Sequence, residues 1–215
     1  MKHFPILSPD LETQFLCGLL ELQYGEVNLQ KMQKLASQVS WAKGWPRKKE
    51  AFWNAEAFLW KKKIDSEKRE LIRKEIIFFM KGKNKEKIFE KESKNKEKIL
   101  EKEKMNLDLG CGAYSYLPSV GFDCSQEMLK LNEQCSRKVV GDVEKILPFA
   151  DEEFSSVTAV FVLNYVENYS LLLSEIFRVL KSGGNGKFVM VLAEKGVNDW
   201  QRQKEVNHFP AEKWG

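Results

Sequence analysis

Two histidines among 215 residues leave little room for imidazole chemistry. The four cysteines, Cys17, Cys111, Cys124 and Cys135, have no C-x-x-C spacing, so neither a zinc cluster nor a redox pair is written into the chain. Reduced thiols in a cytoplasmic protein, with no metal site, are the expectation. No apolar run approaches the ~18 residues that a membrane span requires, and the opening MKHFPILSPDLE does not read as a signal peptide. A net charge of +4 is too small to argue for a nucleic-acid partner by itself. What is present, 43% hydrophobic and 31% charged residues, suits a soluble globular chain of one ordinary domain with an appendage.

Residues 1–82 read as a helical N-terminal domain. Ser8-Pro9-Asp10 gives an N-cap signal with proline at the first helical position, Leu16, Leu19, Leu20 and Leu22 follow, and Gly25 is the stop. Asn28 predicts the cap of a second helix reaching about Trp41, Pro46 opens a third, and Asp65-Ser66 caps a fourth ending at Gly82. Trp41, Trp45, Trp53 and Trp60 crowd one short window, and Phe52, Trp53, Ala57 and Trp60 recur at helical spacing. That spacing predicts core packing first and an aromatic wall over a pocket second. Arg47, Lys48, Lys49, Lys61, Lys62 and Lys63 flank the aromatics, which makes residues 45–63 the candidate RNA-binding stretch and, more simply, a solvated helix face.

Residues 83–104 are almost all lysine and glutamate, and they repeat: NKEKIFEKESK (84–94), then NKEKILEKEKM (95–105). Eleven residues make three helical turns, so Ile88/Phe89 and Ile99/Leu100 return to nearly one face. A charged linker helix with many Glu–Lys pairs is the expectation.

From Met105 the period changes to strands alternating with helices, the mark of a parallel α/β sheet. Strands are expected near 105–109, 119–123, 138–141, 157–163 and 187–193, and helices near 125–135 and 169–181. The stretch MNLDLGCGAYSYLPSVGFD (105–123) organises this half. Gly110 and Gly112 directly after a strand let the backbone approach a ligand, and Asp123 at the tip of the next strand can accept from a ribose diol. A nucleotide-like cofactor follows. A dinucleotide fingerprint would place a third glycine where this chain has Ser115, and Asp108 is foreign to that pattern.

The string LDLGCG (107–112) resembles instead the glycine loop of class I, Rossmann-like S-adenosylmethionine-dependent methyltransferases of the type 11-like kind. VGFDCS (120–125) is similar to that family's second strand and ribose-binding acid. GDVEKILPFADEEFSSVTAVFVLNYVEN (141–168) resembles its adenine-side acid, fourth strand and following loop, and LLLSEIFRVLKSGGNGKFVMV (171–191) its next helix, glycine turn and fifth strand. The resemblance covers residues 105–193 and implies a domain over 105–215, the N-terminal helices acting as a lid. It implies S-adenosylmethionine as cofactor, held by Asp108, Gly110, Cys111, Gly112, Asp123, Cys124, Asp142, Val143 and Asn164. Asp123 would hold the ribose, Asp142 the adenine amino group with Val143 offering its amide, and Asp108 the loop or the amino group of the methionine part. Asn164 and Tyr165 follow the fourth strand, where family members face the transferred methyl, and are the catalytic candidates. N-Y-V-E lacks the Pro-Pro of the nucleic-acid amino-methyltransferases.

Two departures from the family stand out. Ten residues separate Gly112 from Asp123, too few for the usual helix, and Pro118 ends any attempt at one. The helix dipole normally aimed at the cofactor's amino acid moiety is then weak or absent, leaving its carboxylate to Tyr114, Tyr116 or an N-terminal residue. About twenty residues follow the fifth strand, where the family adds a helix and a hairpin, so that strand would be exposed to a second copy or a partner chain. The expectation is a methyltransferase acting on a small molecule in a cleft. An RNA or tRNA methyltransferase and a non-catalytic cofactor-binding subunit are the rivals.

Overall fold

The computed structural model describes residues 10–22, 28–60, 66–81 and 105–192. The expectations for Ser8-Pro9, Gly25, residues 61–65, Gly82, the Lys/Glu repeat and the residues after the fifth strand lie outside the described residues. The described chain falls into two compact units, residues 10–60 and residues 66–192.

In the first unit, α1 (Leu11–Leu22) begins where Asp10 Oδ1 accepts from the Thr13 amide at 2.8 Å, so Asp10 itself is the cap. Asn28 caps α2 (Leu29–Ala36), its Oδ1 accepting from Gln30 N at 2.8 Å. This helix stops at Ala36, five residues short of the expected Trp41. Ser37 Oγ and Gln38 Nε2 both donate to Lys34 O, which draws a last-turn carbonyl to side chains instead of the next helical amide. The chain then turns through a 3-10 segment (Ser40–Ala42) and Gly44, at φ +93°, before α3 (Lys49–Trp60). The expected third helix thus starts three residues after Pro46. Phe15, Leu19, Met32, Ala36, Trp45 and Phe52 form the core, with Phe15 edge-on to Trp45 at 5.5 Å. Of the four residues at helical spacing, Phe52 and Ala57 are buried, and Trp53 and Trp60 only partly so.

The second unit opens with α4 (Ser66–Lys81), whose Ile76 and Ile77 are buried. Five strands follow: β1 (Asn106–Leu109), β2 (Ser119–Asp123), β3 (Cys135–Val140), β4 (Ser156–Val160) and β5 (Lys187–Val191). Helix α5 (Gln126–Leu131) leads into β3, and α6 (Tyr169–Val179) into β5. All pairings are parallel, in the order β3-β2-β1-β4-β5. The fold is the Rossmann-like α/β sheet with flanking helices that the strand–helix alternation predicts. Strand β3 begins three residues earlier than expected, because α5 stops before its C-cap Asn132, whose Oδ1 accepts from Gln134 N and turns the chain into the strand.

Every residue of β1 and β2 is buried, as central parallel strands require. Leu107, Leu109, Phe122, Val157 and Ala159 pack against Leu172, Ile176 and Val179 of α6. Buried polar atoms in the sheet are matched: Asn106 Nδ2 donates to Ser119 Oγ and to Thr158 Oγ1, both at 2.9 Å, and its Oδ1 accepts from Ser156 Oγ at 2.8 Å. The order of strands reverses between β1 and β4, and in open parallel sheets the ligand crevice lies at that switch point, at the strands' carboxyl ends.

Candidate functional site

The carboxyl ends of the strands bring the sequence-predicted residues to one edge. Gly110, Cys111 and Gly112 follow β1, Asp123 ends β2, Asp142 and Val143 follow β3, and Asn164 and Tyr165 follow β4. No helix intervenes between β1 and β2. Gly110 and Gly112 both take the left-handed conformation, at φ +59° and +54°. Their surroundings differ. A Cβ on Gly110 would lie 2.2 Å from Val162 Cγ2, so that glycine is required by the loop after β4. A Cβ on Gly112 would meet nothing within 4 Å, which leaves a backbone open to close approach.

Asp123 is 7% exposed and spans the turn. Its Oδ2 accepts from Gly112 N and its Oδ1 from Ser125 N, each at 2.8 Å, while the Cys124 side chain also bonds to it. Burial raises its carboxyl above the usual range, and the Ser125 and Gly112 amides pull the other way. Phe122 O accepts from Gly110 N at 2.7 Å and Asp123 O from Gly141 N at 3.0 Å, so the ends of β1, β2 and β3 are tied together.

Asp108 is 2% exposed and receives a hydrogen bond from Thr158 Oγ1 at 2.8 Å and another from Ser115. Burial pushes its carboxyl up to about 6 in spite of both bonds. The side chain of Cys111 turns into the sheet, where its sulfur and that of Cys135 lie against Gly121. Cys111 bonds to Cys135 and holds its proton well above the usual range; the same bond lowers Cys135. All four cysteines are free thiols.

Asp142 is half-buried and its Oδ1 accepts from Glu144 N at 3.1 Å, while Val143 is 7% exposed and its side chain joins the core. Asn164 is wholly buried within a 3-10 turn (Leu163–Tyr165), and Tyr165 keeps part of its surface. Phe161, just past β4, holds φ +59°, a conformation costly for an aromatic residue and found here at the switch point.

Sequence reasoning misses the residues that hold this edge in place. Asn132 Nδ2 donates to Gly112 O and to Ser115 Oγ, both at 3.1 Å, and Asn132 is 0% exposed. Glu144 Oε1 accepts from Glu167 N and Asn168 N at 2.6 and 2.9 Å, joining the loop after β3 to the start of α6. Arg178 donates to Leu147 O and Phe149 O and pairs with Glu175 and Asp151, clamping the Leu-Pro-Phe turn on α6. Only the Glu175–Arg178 spacing of one helical turn could have been noticed in the sequence.

The family described as "Methyltransferase domain" matches residues 107–188. This segment is similar to a methyltransferase domain. The match takes in the glycine turn, Asp123, Asp142 and the turn after β4. Within the wider chain, demethylmenaquinone methyltransferase of Staphylococcus carnosus is 41% identical over 71 residues, 30% of this chain and 29% of that protein. The ubiquinone/menaquinone biosynthesis C-methyltransferase of Geotalea daltonii is 30% identical over 111 residues, 48% and 46% of the two chains. Among solved structures, Haemonchus contortus phosphoethanolamine N-methyltransferase 2 in complex with S-adenosyl-L-methionine covers 52% of this chain and 31% of its own, at 20% identity and a TM-score of 0.41. The chain spans less than half the length of these curated relatives. No helix among the described residues is long and apolar enough to cross a membrane, and no described group of three or more His, Cys, Asp or Glu side chains could hold a metal ion.

Proposed function

We propose that this chain binds S-adenosylmethionine at the β1–β4 switch point and transfers its methyl group to a small-molecule acceptor. The observation that carries this reading is the left-handed Gly110–Gly112 turn, open above Gly112 and locked to Asp123 at the end of the next strand. A nucleoside fits such a cradle. Gly112 allows backbone approach, and the lone pairs of Asp123 not engaged by the two amides accept from ribose hydroxyls. Asp142 and the Val143 backbone serve the adenine, Cys124 lies beside the ribose, and Asp108 faces the ammonium of the amino acid end. When bound, the cofactor supplies a methyl group already activated by its sulfonium. The work left to the chain is alignment of the acceptor and exclusion of water. Tyr165, partly exposed after β4, contacts the acceptor, and Asn164 supports it from within the turn.

Relatives named for demethylmenaquinone and for ubiquinone/menaquinone biosynthesis support a small acceptor. A quinol-type ring is therefore the first to try. Calorimetry with S-adenosylmethionine and, separately, NAD tests the cofactor; micromolar binding of the former alone is expected. Binding of NAD alone, or of neither, refutes the reading. Transfer of a labelled methyl group to quinol analogues, with bulk tRNA as the contrasting acceptor, tests the substrate class.

A further inference from the structure

A loop that lacks the usual following helix has no helix N-terminus to meet a ligand carboxylate. A charged side chain stands near that place. Arg69, on the first turn of α4, lies over the Tyr114 ring with its guanidinium carbon 4.6 Å from the centroid. Its Nε is buried without a hydrogen-bond partner, and no ion pair joins it to a described carboxylate. A buried, unpaired guanidinium donor is costly unless something arrives to accept from it. Tyr114 is two residues past Gly112 and sits edge-on to Tyr116, ring centroids 5.3 Å apart. Tyr116 is 7% exposed and feels both charges: Arg69 draws its phenol down and Asp108 pushes it up, while burial, the largest effect, raises it to about 12. A cation and an anion thus both act on one tyrosine beside the glycine turn.

We propose that Arg69 holds the carboxylate of the cofactor's amino acid end, while Asp108 takes its ammonium. This rests on the S-adenosylmethionine reading above and assigns the contact that the missing helix leaves open. The guanidinium suits the task because its planar fork matches a carboxylate, and stacking on Tyr114 fixes its plane in advance. The ligand class recognised is an α-amino acid borne on a nucleoside, as distinct from a bare nucleoside.

The test removes the carboxylate from the ligand and the guanidinium from the protein in turn. Calorimetry is run on the full chain with S-adenosylmethionine, decarboxylated S-adenosylmethionine and 5′-methylthioadenosine, using wild type, Arg69→Gln and Arg69→Lys. Wild type should prefer S-adenosylmethionine to the decarboxylated form by roughly 10- to 100-fold, the size of a charged hydrogen-bonded contact. In Arg69→Gln that preference should collapse to within about threefold, with 5′-methylthioadenosine affinity unchanged, and Arg69→Lys should restore part of it. Equal losses for all three ligands would show that Arg69 merely shapes the loop, and would overturn the assignment. So would a wild type that binds both S-adenosylmethionine forms alike, a result that needs no variant to fold. If wild type binds none of the three, the cofactor reading itself fails and this assignment with it; binding of S-adenosylmethionine with no dependence on Arg69 overturns the assignment alone.

Discussion

Replacing Asp123 tests the site and its scaffold together, because the same carboxylate does both jobs. Asp123→Ala removes the acceptor for Gly112 N and for Ser125 N, each now bonded at 2.8 Å. A buried amide left without a partner costs about 1–3 kcal/mol. The Ser125 bond is fully buried and the Gly112 bond only partly, so water recovers some of the second. Removing a carboxylate whose ionisation burial opposes returns a further part. The net expectation is a stability loss of about 2–4 kcal/mol. Affinity for S-adenosylmethionine falls for a separate reason, the loss of a charge-assisted bond to the ribose, worth about 1.5–3 kcal/mol or roughly 10- to 150-fold. Asp123→Asn separates the effects. Its one carbonyl keeps a single amide, and its NH₂ group faces the other, so both losses persist in milder form. Thermal unfolding reads the first effect and calorimetry with S-adenosylmethionine the second. A folded Asp123→Asn protein that binds S-adenosylmethionine as wild type does would refute the ribose assignment. An Asp123→Ala protein of undiminished stability would refute the brace.

Other perturbations report on neighbouring parts. With the Asp108 carboxyl at about 6 in the free protein, a ligand ammonium favours its charged form, so S-adenosylmethionine affinity should rise from pH 5 to pH 7 and then level off; Asp108→Asn should flatten that profile in calorimetry at several pH values. Gly110→Ala, which drives a Cβ into Val162, should lower the unfolding temperature well beyond Gly112→Ala, which costs only the ~1 kcal/mol of left-handed backbone yet weakens cofactor binding by filling the open space. Arg178→Ala takes from Phe149 O its side-chain donor, leaves Leu147 O with the Phe149 amide and Glu175 with the Leu147 amide, and should cost about 1–2 kcal/mol at pH 7 by chemical denaturation. Arg178 holds the Glu175 carboxyl below its usual range, so this stabilisation is present at neutral pH and fades as pH falls past ~4; the gap between wild type and variant should narrow there.

The parts of this fold that were legible in the sequence are those written within a few neighbouring residues. The change from helical to strand period at Met105 marks where β1 begins, and two glycines after a four-residue buried strand mark a left-handed turn. Asn28 is a cap because its side chain reaches the amide two residues on. Asp10, the last residue of the Ser8-Pro9-Asp10 signal, bonds three residues on and caps α1. The end of α2 was misplaced by a local competition, Ser37 and Gln38 taking the Lys34 carbonyl, which propensity sums do not resolve. What could not be read are contacts across long separations. Asn132 reaches Gly112 over 20 residues, Glu144 reaches Asn168 over 24, and Arg178 reaches Leu147 over 31. No periodicity encodes such pairs; they exist only once the parallel sheet has brought strand ends to one edge.

The glycine turn has lost its helix, and the side chains around it show how the turn is nevertheless held. Ser115 occupies the place where a dinucleotide-binding loop would have its third glycine, a position that serves close packing of helix on strand. Here there is no helix to pack. The hydroxyl instead meets Asn132 Nδ2 at 3.1 Å and Cys135 Sγ at 3.2 Å, and bonds to Asp108. Ser115 is 1% exposed, so these bonds form away from water, where each counts for more and each missing one costs more. Glycine at this position would strip Asp108 of one of two hydrogen-bond donors and leave Asn132 Nδ2 only the Gly112 and Cys111 carbonyls, the second at 3.5 Å. The departure from the dinucleotide pattern is therefore a requirement of the short crossover: a chain that passes from β1 to β2 in nine residues must brace its turn with side chains. Asp123, Asn132 and Ser115 supply the braces.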